Sequence, residues 1–361
     1  MAPTRGADSN PADRFTAREI ELDLAGLLEA ARAAGDDALP SPRTRCYDDA
    51  ARSILSENDS PDLPFDASVN PYRGCEHGCI YCYARPTHEY FGLSAGLDFE
   101  TTLFVKRRAP ELLRAELMKK SWRPRLLALS GVTDCYQPIE RHFRLTRGCL
   151  EVLAEFRNPV GIVTKSALVT RDLDVLARLA AHDAVQVFVS VTTQDDALAA
   201  DLEPRAARPM KRLEAIRELA AAGIATGVLV APVIPGLTDH ELPAIVAAAR
   251  EAGATMASWQ LLRLPHGVKA LFADWLERHR PERKEKVLER LRQLHGGELY
   301  DASFGKRMRG EGEWARQLEQ LFALAVRRAG LAGMRERGVS AAAFRRPGPS
   351  QPGLFGTEPR L

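Results

Sequence analysis

Short apolar runs rich in β-branched residues recur through the middle of the chain, each followed by a stretch whose apolar positions repeat every three or four residues. The runs predict strands at 125–130, 160–164, 185–191, 225–231 and 255–262, after a first strand leading into Asn70-Pro71-Tyr72-Arg73. The intervening stretches predict helices at 145–156, 173–181, 210–222 and 242–252. An extra strand at 102–106 precedes a helix starting near Pro110, because proline suits the first helical turn. Six strand–helix units imply an α/β chain around a parallel sheet. Periodicity alone leaves both an open doubly wound sheet and a closed barrel. In either, polar residues just past the strand ends gather at one edge, where chemistry collects.

Past Lys269 the pattern becomes a helix to Glu277, a second helix over 281–294, and then Gly297-Glu298-Leu299-Tyr300-Asp301. Pro, Gly, Ser and charged residues dominate the first 20 or so positions and the end from Arg345, so both ends are expected to be loose. The expected division is an extension over 1–64, a core over 65–285, a helical extension over 286–346 and a tail over 347–361. With 50 basic and 48 acidic groups the net charge is +2, so no global field draws the chain to nucleic acid or membrane. No apolar run is long enough to cross a bilayer and no charged-then-apolar leader opens the chain, so a cytoplasmic location without a membrane partner is expected. Six cysteines in 361 residues are too few to staple a small secreted scaffold.

Three of them crowd into Gly74-Cys75-Glu76-His77-Gly78-Cys79-Ile80-Tyr81-Cys82-Tyr83. Thiolates are soft ligands for iron–sulfur clusters, zinc and copper(I), and one loop carrying three can wrap a single centre. A fully ligated cluster normally takes four cysteines, so three leave one iron open for chemistry. The alternative is structural zinc completed by His77, His88 or Cys135, but only Cys79 and Cys82 have the paired C-x-x-C spacing of zinc knuckles.

This C-x3-C-x-Tyr-C form at the first strand end, followed by repeated strand–helix units, resembles the radical S-adenosylmethionine (SAM) superfamily. Asn70-Pro71-Tyr72-Arg73-Gly74-Cys75, Thr133-Asp134, Tyr136-Gln137-Pro138-Ile139-Glu140, Thr164-Lys165-Ser166 and Ala231-Pro232-Val233-Ile234-Pro235-Gly236 resemble a bacterial branch related to spore photoproduct lyase, the DNA repair photolyase-like group. Ser53-Ile54-Leu55 and Gly305-Lys306-Arg307-Met308-Arg309-Gly310-Glu311-Gly312 extend the likeness to nearly the whole chain. The resemblance implies a partial (β/α)6 barrel, with a [4Fe–4S] cluster on Cys75, Cys79 and Cys82. It implies SAM bound to the open iron and cleaved to a 5′-deoxyadenosyl radical that takes hydrogen from a substrate. Tyr81, Thr133, Lys165, Ser190 and Ala231 are the implied SAM-site residues, and an external donor such as flavodoxin or ferredoxin is the implied electron source. By analogy with the lyase, nucleic acid is a candidate substrate.

Thr133, Lys165, Ser190 and Ala231 also fall at predicted strand ends on their own account. Lys165 has the alternative of a solvated loop lysine, and Ser190 that of a small core residue. Asp134 and Glu140 read either as helix-start residues or as ligand contacts, Asp195-Asp196 as a helix entrance, and Arg205 as a partner for a carboxylate of SAM or substrate. The lyase has a hydrogen-donating cysteine in the loop after the second strand, which makes Cys135 a catalytic candidate. Its register differs, however, because Cys135 follows Thr133-Asp134 and Gly131 takes the donor's place, so it is expected to line the pocket. Cys46 and Cys149 read as structural. The second function class is a metal-stabilised module contacting nucleic acid through Arg307, Arg309, Arg327 and Arg328. Their alternation with Glu311, Glu313 and Glu319 reads instead as a solvated helix face.

Overall fold

Period-two alternation gives the central strands two different faces, and those faces decide where the site lies. The computed structural model describes residues 5–11, 14–15, 43–129, 131–333 and 338–348. Ser130, the last position of one predicted strand, lies outside the described residues, as does the tail beyond residue 348. The strands are β1 (Arg45–Asp48), β2 (Leu55–Glu57), β3 (Ala67–Val69), β4 (Tyr72–Arg73), β5 (Thr102–Val105), β6 (Leu127–Leu129), β7 (Val160–Thr164), β8 (Val185–Ser190), β9 (Ala225–Val233), β10 (Met256–Leu261) and β11 (Ala332–Gly333). The main sheet runs β2-β3-β6-β7-β8-β9-β10-β11, parallel throughout except for the antiparallel edge pair β2–β3. A separate three-stranded sheet joins β1, β5 and β4.

Parallel neighbours need long crossovers, and these carry the expected helices. Leu145–Phe156, Leu173–Ala180, Pro209–Ala221 and Leu242–Glu251 connect β6 through β10. The six units read from the periodicity are therefore present, with β3 and β6 to β10 as the strands of a partial (β/α)6 barrel. Val268–His279, Pro281–Leu294 and Gly312–Ala329 follow β10, and β11 then pairs with the β10 edge. Among the described residues no helix is long and apolar enough to cross a membrane.

Outward-facing Leu127, Leu129, Val160, Ile162, Val187, Val189, Val228, Val230 and Trp259 join one core with the covering helices. The opposite face holds a small apolar plug of Phe188, Leu229, Ala231 and Met256, with Val163 against it. One alternation further along, the same face presents Lys165 and Ser190, and beside them Ser68 and Asn70. The interior thus turns from apolar at the plug to polar at its carboxyl edge, with buried Gln186 a polar exception below Phe188.

The plug depends on Gly227, where an added Cβ would come 2.5 Å from the Phe188 ring and 3.0 Å from the Met256 Cβ. Gly227→Ala is expected to overpack the interior and cost about 1–3 kcal/mol. A denaturation midpoint unchanged from wild type would contradict that packing.

Candidate active site

A loop without regular structure must find partners for its buried backbone groups elsewhere. The cysteine loop finds them in four places. Gln137, fully buried, accepts from Glu76 N (2.9 Å) through Oε1 and donates to Gly74 O (3.0 Å) through Nε2. Arg85, also fully buried, donates from Nε to Cys79 O (3.0 Å) and forms an ion pair with Glu100. Ile80 N donates to Leu202 O (3.1 Å) and Cys75 N to Phe99 O (2.9 Å). Glu100 also accepts from Gly6 N and Ala7 N (both 2.9 Å), so Arg5 to Ala7 are buried against the loop, although composition suggested a loose end. A Cβ on Gly6 would meet Gly78 O at 1.6 Å, so only glycine allows this approach.

Beneath the loop lies a buried polar network at the ends of β7, β8 and β9. Lys165 Nζ donates to Ser190 Oγ (2.7 Å) and to Ala231 O (2.9 Å), which also accepts from Ser190 Oγ (2.9 Å) and Thr192 Oγ1 (3.0 Å). Tyr81 and Arg212 both donate to Glu203, joined by Thr192 Oγ1 (2.7 Å), and Lys165 lies 3.8 Å from the same carboxylate. Burial alone would raise the Glu203 pKa, but the charges of Arg212 and Lys165 and the hydrogen bonds from Arg212 and Tyr81 hold it well below 4.5. Burial pushes the Cys79 thiol well up; Glu203 adds to the rise and Lys165 opposes it. Burial and neighbouring Cys75 likewise raise Cys82.

None of the three loop cysteines is in a disulfide. Each lies within electrostatic reach of the others. Among the described residues no three His, Cys, Asp or Glu side chains converge at single-ion spacing. Of the fourth zinc ligands considered above, His77 and Cys135 are engaged elsewhere, whereas His88 keeps a buried Nδ1 without a partner among the described residues. His77 Nδ1 lies 3.3 Å from Asp134, His88 Nε2 lies 2.8 Å from Thr102 O, and Cys135 is in the outer core. Three soft thiols spaced around one loop fit a multi-iron cluster, each thiol taking a separate iron.

The radical SAM superfamily profile matches residues 69–249. The chain belongs to the radical SAM superfamily. A protein of Mycobacterium bovis named only as uncharacterized is 37% identical over 277 residues, 76% of this chain and 79% of its own. A radical SAM Nalpha-GlyT isomerase of Pseudomonas phage M6 is 27% identical over 174 residues, 48% of this chain and 34% of its own. Among solved structures, a spore photoproduct lyase mutant with bound AdoMet and dinucleoside spore photoproduct superposes with a TM-score of 0.60 at 15% identity, covering 86% of this chain and 93% of that one. The shared architecture is therefore that of a radical SAM fold.

Of the residues the radical SAM resemblance singled out, Tyr81, Lys165, Ser190 and Ala231 meet in the single network under the loop. Thr133 stands apart, its Oγ1 donating to Tyr72 O (3.1 Å). Arg205 pairs with Glu76 (3.1 Å) within the protein. Asp134 does more than start a turn: besides Tyr136 N it accepts from Thr164 Oγ1 (2.8 Å) and Lys165 N (2.7 Å). Asp195 accepts from Ala197 N (2.8 Å) as an N-cap does, whereas buried Glu140 accepts from Thr146 N (3.0 Å) in the following helix and also from Tyr72 and from Arg171 (2.7 Å). Cys135 is 1% exposed in the core with Leu129 and Tyr136 rather than lining the pocket. Cys149 is buried and Cys46 exposed on β1. Arg307 and Arg309 lie ahead of the helix Gly312–Ala329 rather than on its face, Arg307 pairing with Asp62 (2.6 Å) and Arg309 lying over Trp259. Arg327 and Arg328 are in that helix's last turn.

Sequence reasoning gave no role to Glu203, Arg212, Gln137 or Arg85. Arg212 carried a signal, because it shares the buried stripe of its helix with Ala215, Ile216 and Leu219. A cation in an apolar stripe demands a buried counter-charge.

Glu203→Gln would strand that cation, with an expected cost of about 3–5 kcal/mol at neutral pH. The folded-state pKa of Glu203 is depressed, so its stabilisation is present above its ordinary 4.5 and fades as pH falls below it. Unfolding midpoints measured from pH 7 down to pH 3 should fall for the wild type with a contribution from this group that the variant lacks. Parallel pH profiles of equal height would contradict the pairing.

Proposed function

We propose that this protein is a catalytically active radical SAM enzyme, with a [4Fe–4S] cluster on Cys75, Cys79 and Cys82 and SAM between that loop and the Lys165–Ser190–Ala231 bed. The observation that carries this reading is the stacking of three unbridged thiols directly over a buried polar network at the carboxyl edge of a parallel sheet. The cluster, when bound, would supply the electron that splits the SAM sulfonium into methionine and a 5′-deoxyadenosyl radical. The remaining work falls to the chain. Gln137 and Arg85 hold the loop in the shape its ligands need, and the Glu203–Arg212 pair anchors Tyr81. Lys165 supplies a positive charge for a bound carboxylate, and its site is 16% exposed and screened from water by the loop above. The thiols bind iron as thiolates, so loading the site displaces their protons.

A nucleic-acid substrate is the second reading. It is favoured by Tyr83, immediately after Cys82 and 40% exposed, whose hydroxyl donates to Gly131 O (3.0 Å) and whose ring carries the Arg263 guanidinium 4.4 Å from its centre. An aromatic ring paired with arginine beside the site is a platform on which a base stacks. The bound dinucleoside of the superposed lyase points the same way.

Anaerobically reconstituted protein is expected to be brown, to hold about four irons and to release 5′-deoxyadenosine from SAM and a reductant. Cys79→Ala should lose both properties, and a chain that loads zinc and leaves SAM intact would overturn the reading. Lys165→Met should retain its iron but bind SAM about ten-fold more weakly by equilibrium dialysis, the weight of one charge-assisted contact. Undiminished affinity would remove Lys165 from the site.

A further inference from the structure

The cysteine loop has a second accessible side. A cleft of about 310 Å³ opens onto His77 and is lined by Arg141, Arg205 and Lys211, with no carboxylate in its wall. The balancing acids sit behind or beside these cations. Glu76, paired with Arg205, is 4% exposed, and Asp134, paired with His77, has 11% of its side chain exposed. Lys211 meets Glu214 (2.7 Å) on the helix surface, while Arg141 is exposed and forms no ion pair among the described residues. Met210, next to Lys211 in the chain, is an exposed apolar side chain (59%). Arginine and methionine are the residues that protein interfaces enrich. By contrast, a wider groove of about 1020 Å³ beside the helix Pro281–Leu294 mixes Arg283 and Lys286 with Asp239 and Glu241, and so presents no single sign.

His77 makes this cleft more than a charged hollow. Its ring is held against Asp134 (3.3 Å) and it stands two residues after Cys75, so the cleft floor belongs to the cluster loop itself. Arg205 N donates to His77 O (3.2 Å), fixing the cationic wall to the same residue. A protein docked here would stand one side chain from the iron ligands without entering the space over Lys165.

We infer that the face formed by Arg141, Arg205, Lys211 and Met210 around His77 docks a small acidic protein that carries single electrons. The inference rests on the iron–sulfur reading above. One electron leaves the reduced carrier and enters the cluster, which drops by one oxidation level; no atom is transferred. Opposite charges would steer the encounter and make its rate fall with salt.

The test uses flavodoxin as the acidic carrier and the double variant Arg141→Glu/Lys211→Glu, whose positions lie outside the loop and its network. Binding of oxidised flavodoxin to the iron-free chain is measured first, so the docking face is tested whether or not a cluster forms. The wild type should bind more weakly as salt rises, and the variant about ten-fold more weakly than wild type at low salt. With the cluster loaded, stopped-flow bleaching by reduced flavodoxin should slow by a similar factor, while bleaching by dithionite stays at the wild-type rate. Equal flavodoxin affinity and equal bleaching rates in the two proteins would overturn the inference. So would a variant that loses affinity for a single-stranded oligonucleotide while flavodoxin binding is unchanged, since the face would then belong to nucleic acid.

Discussion

The need to satisfy the backbone of an irregular, buried loop governs this structure. Cys75 to Cys82 form neither helix nor strand, so their amides and carbonyls must be met by side chains and by distant backbone. Gln137, Arg85, Phe99 and Leu202 meet them, and each belongs to a different segment of the chain. Two of these partners bring further obligations. Arg85 is fully buried and requires Glu100, which in turn fixes Gly6 and Ala7. The position of the thiols is therefore a property of the whole fold, from the N-terminal residues to the helix after β8.

The second layer of organisation is the polarity gradient inside the sheet. Alternation sends Phe188, Leu229 and Met256 inward at one level, and Lys165 and Ser190 inward a step higher. An interior filled with apolar side chains to the rim would leave no bed for a polar ligand, and one that was polar throughout would leave buried groups without partners. Here the change occurs within one repeat, so the plug supports the network from below. Ala231 joins the two: its side chain packs with the plug while its carbonyl accepts from Lys165, Ser190 and Thr192.

Much of this was legible in the sequence because it is local. The helices at 145–156 and 281–294 and the strand at 160–164 have the same limits in the structure, since each is set by an uninterrupted apolar period. The cysteine loop announced itself by composition, and Lys165, Ser190 and Ala231 by their place at or just past predicted strand ends. The rest depends on contacts between residues far apart in the chain. Arg85 to Glu100, Gln137 to the loop, and Arg5 to the Glu100 carbonyl join segments whose pairing no period encodes. Cys135 shows the opposite failure: its position in a functional loop was legible, but the face on which its side chain falls was not. Its side chain lies in the core with Leu129 and Tyr136.

The buried charges also anchor the loop from two sides. Toward the barrel, Tyr81 is fixed through Glu203 and Arg212; away from it, His77 is fixed through Asp134, whose carboxylate also binds Lys165 N and Thr164 Oγ1 at the end of β7. Burial works against ionisation of Asp134, yet His77 and these hydrogen bonds hold its carboxyl below the ordinary range. Both anchors thus end on the same stretch of β7, with Lys165 contributing its amine to one and its amide to the other. A displacement of Lys165 would loosen both sides at once. The end of β7 is consequently the mechanical link between the bed under the loop and the cleft behind it.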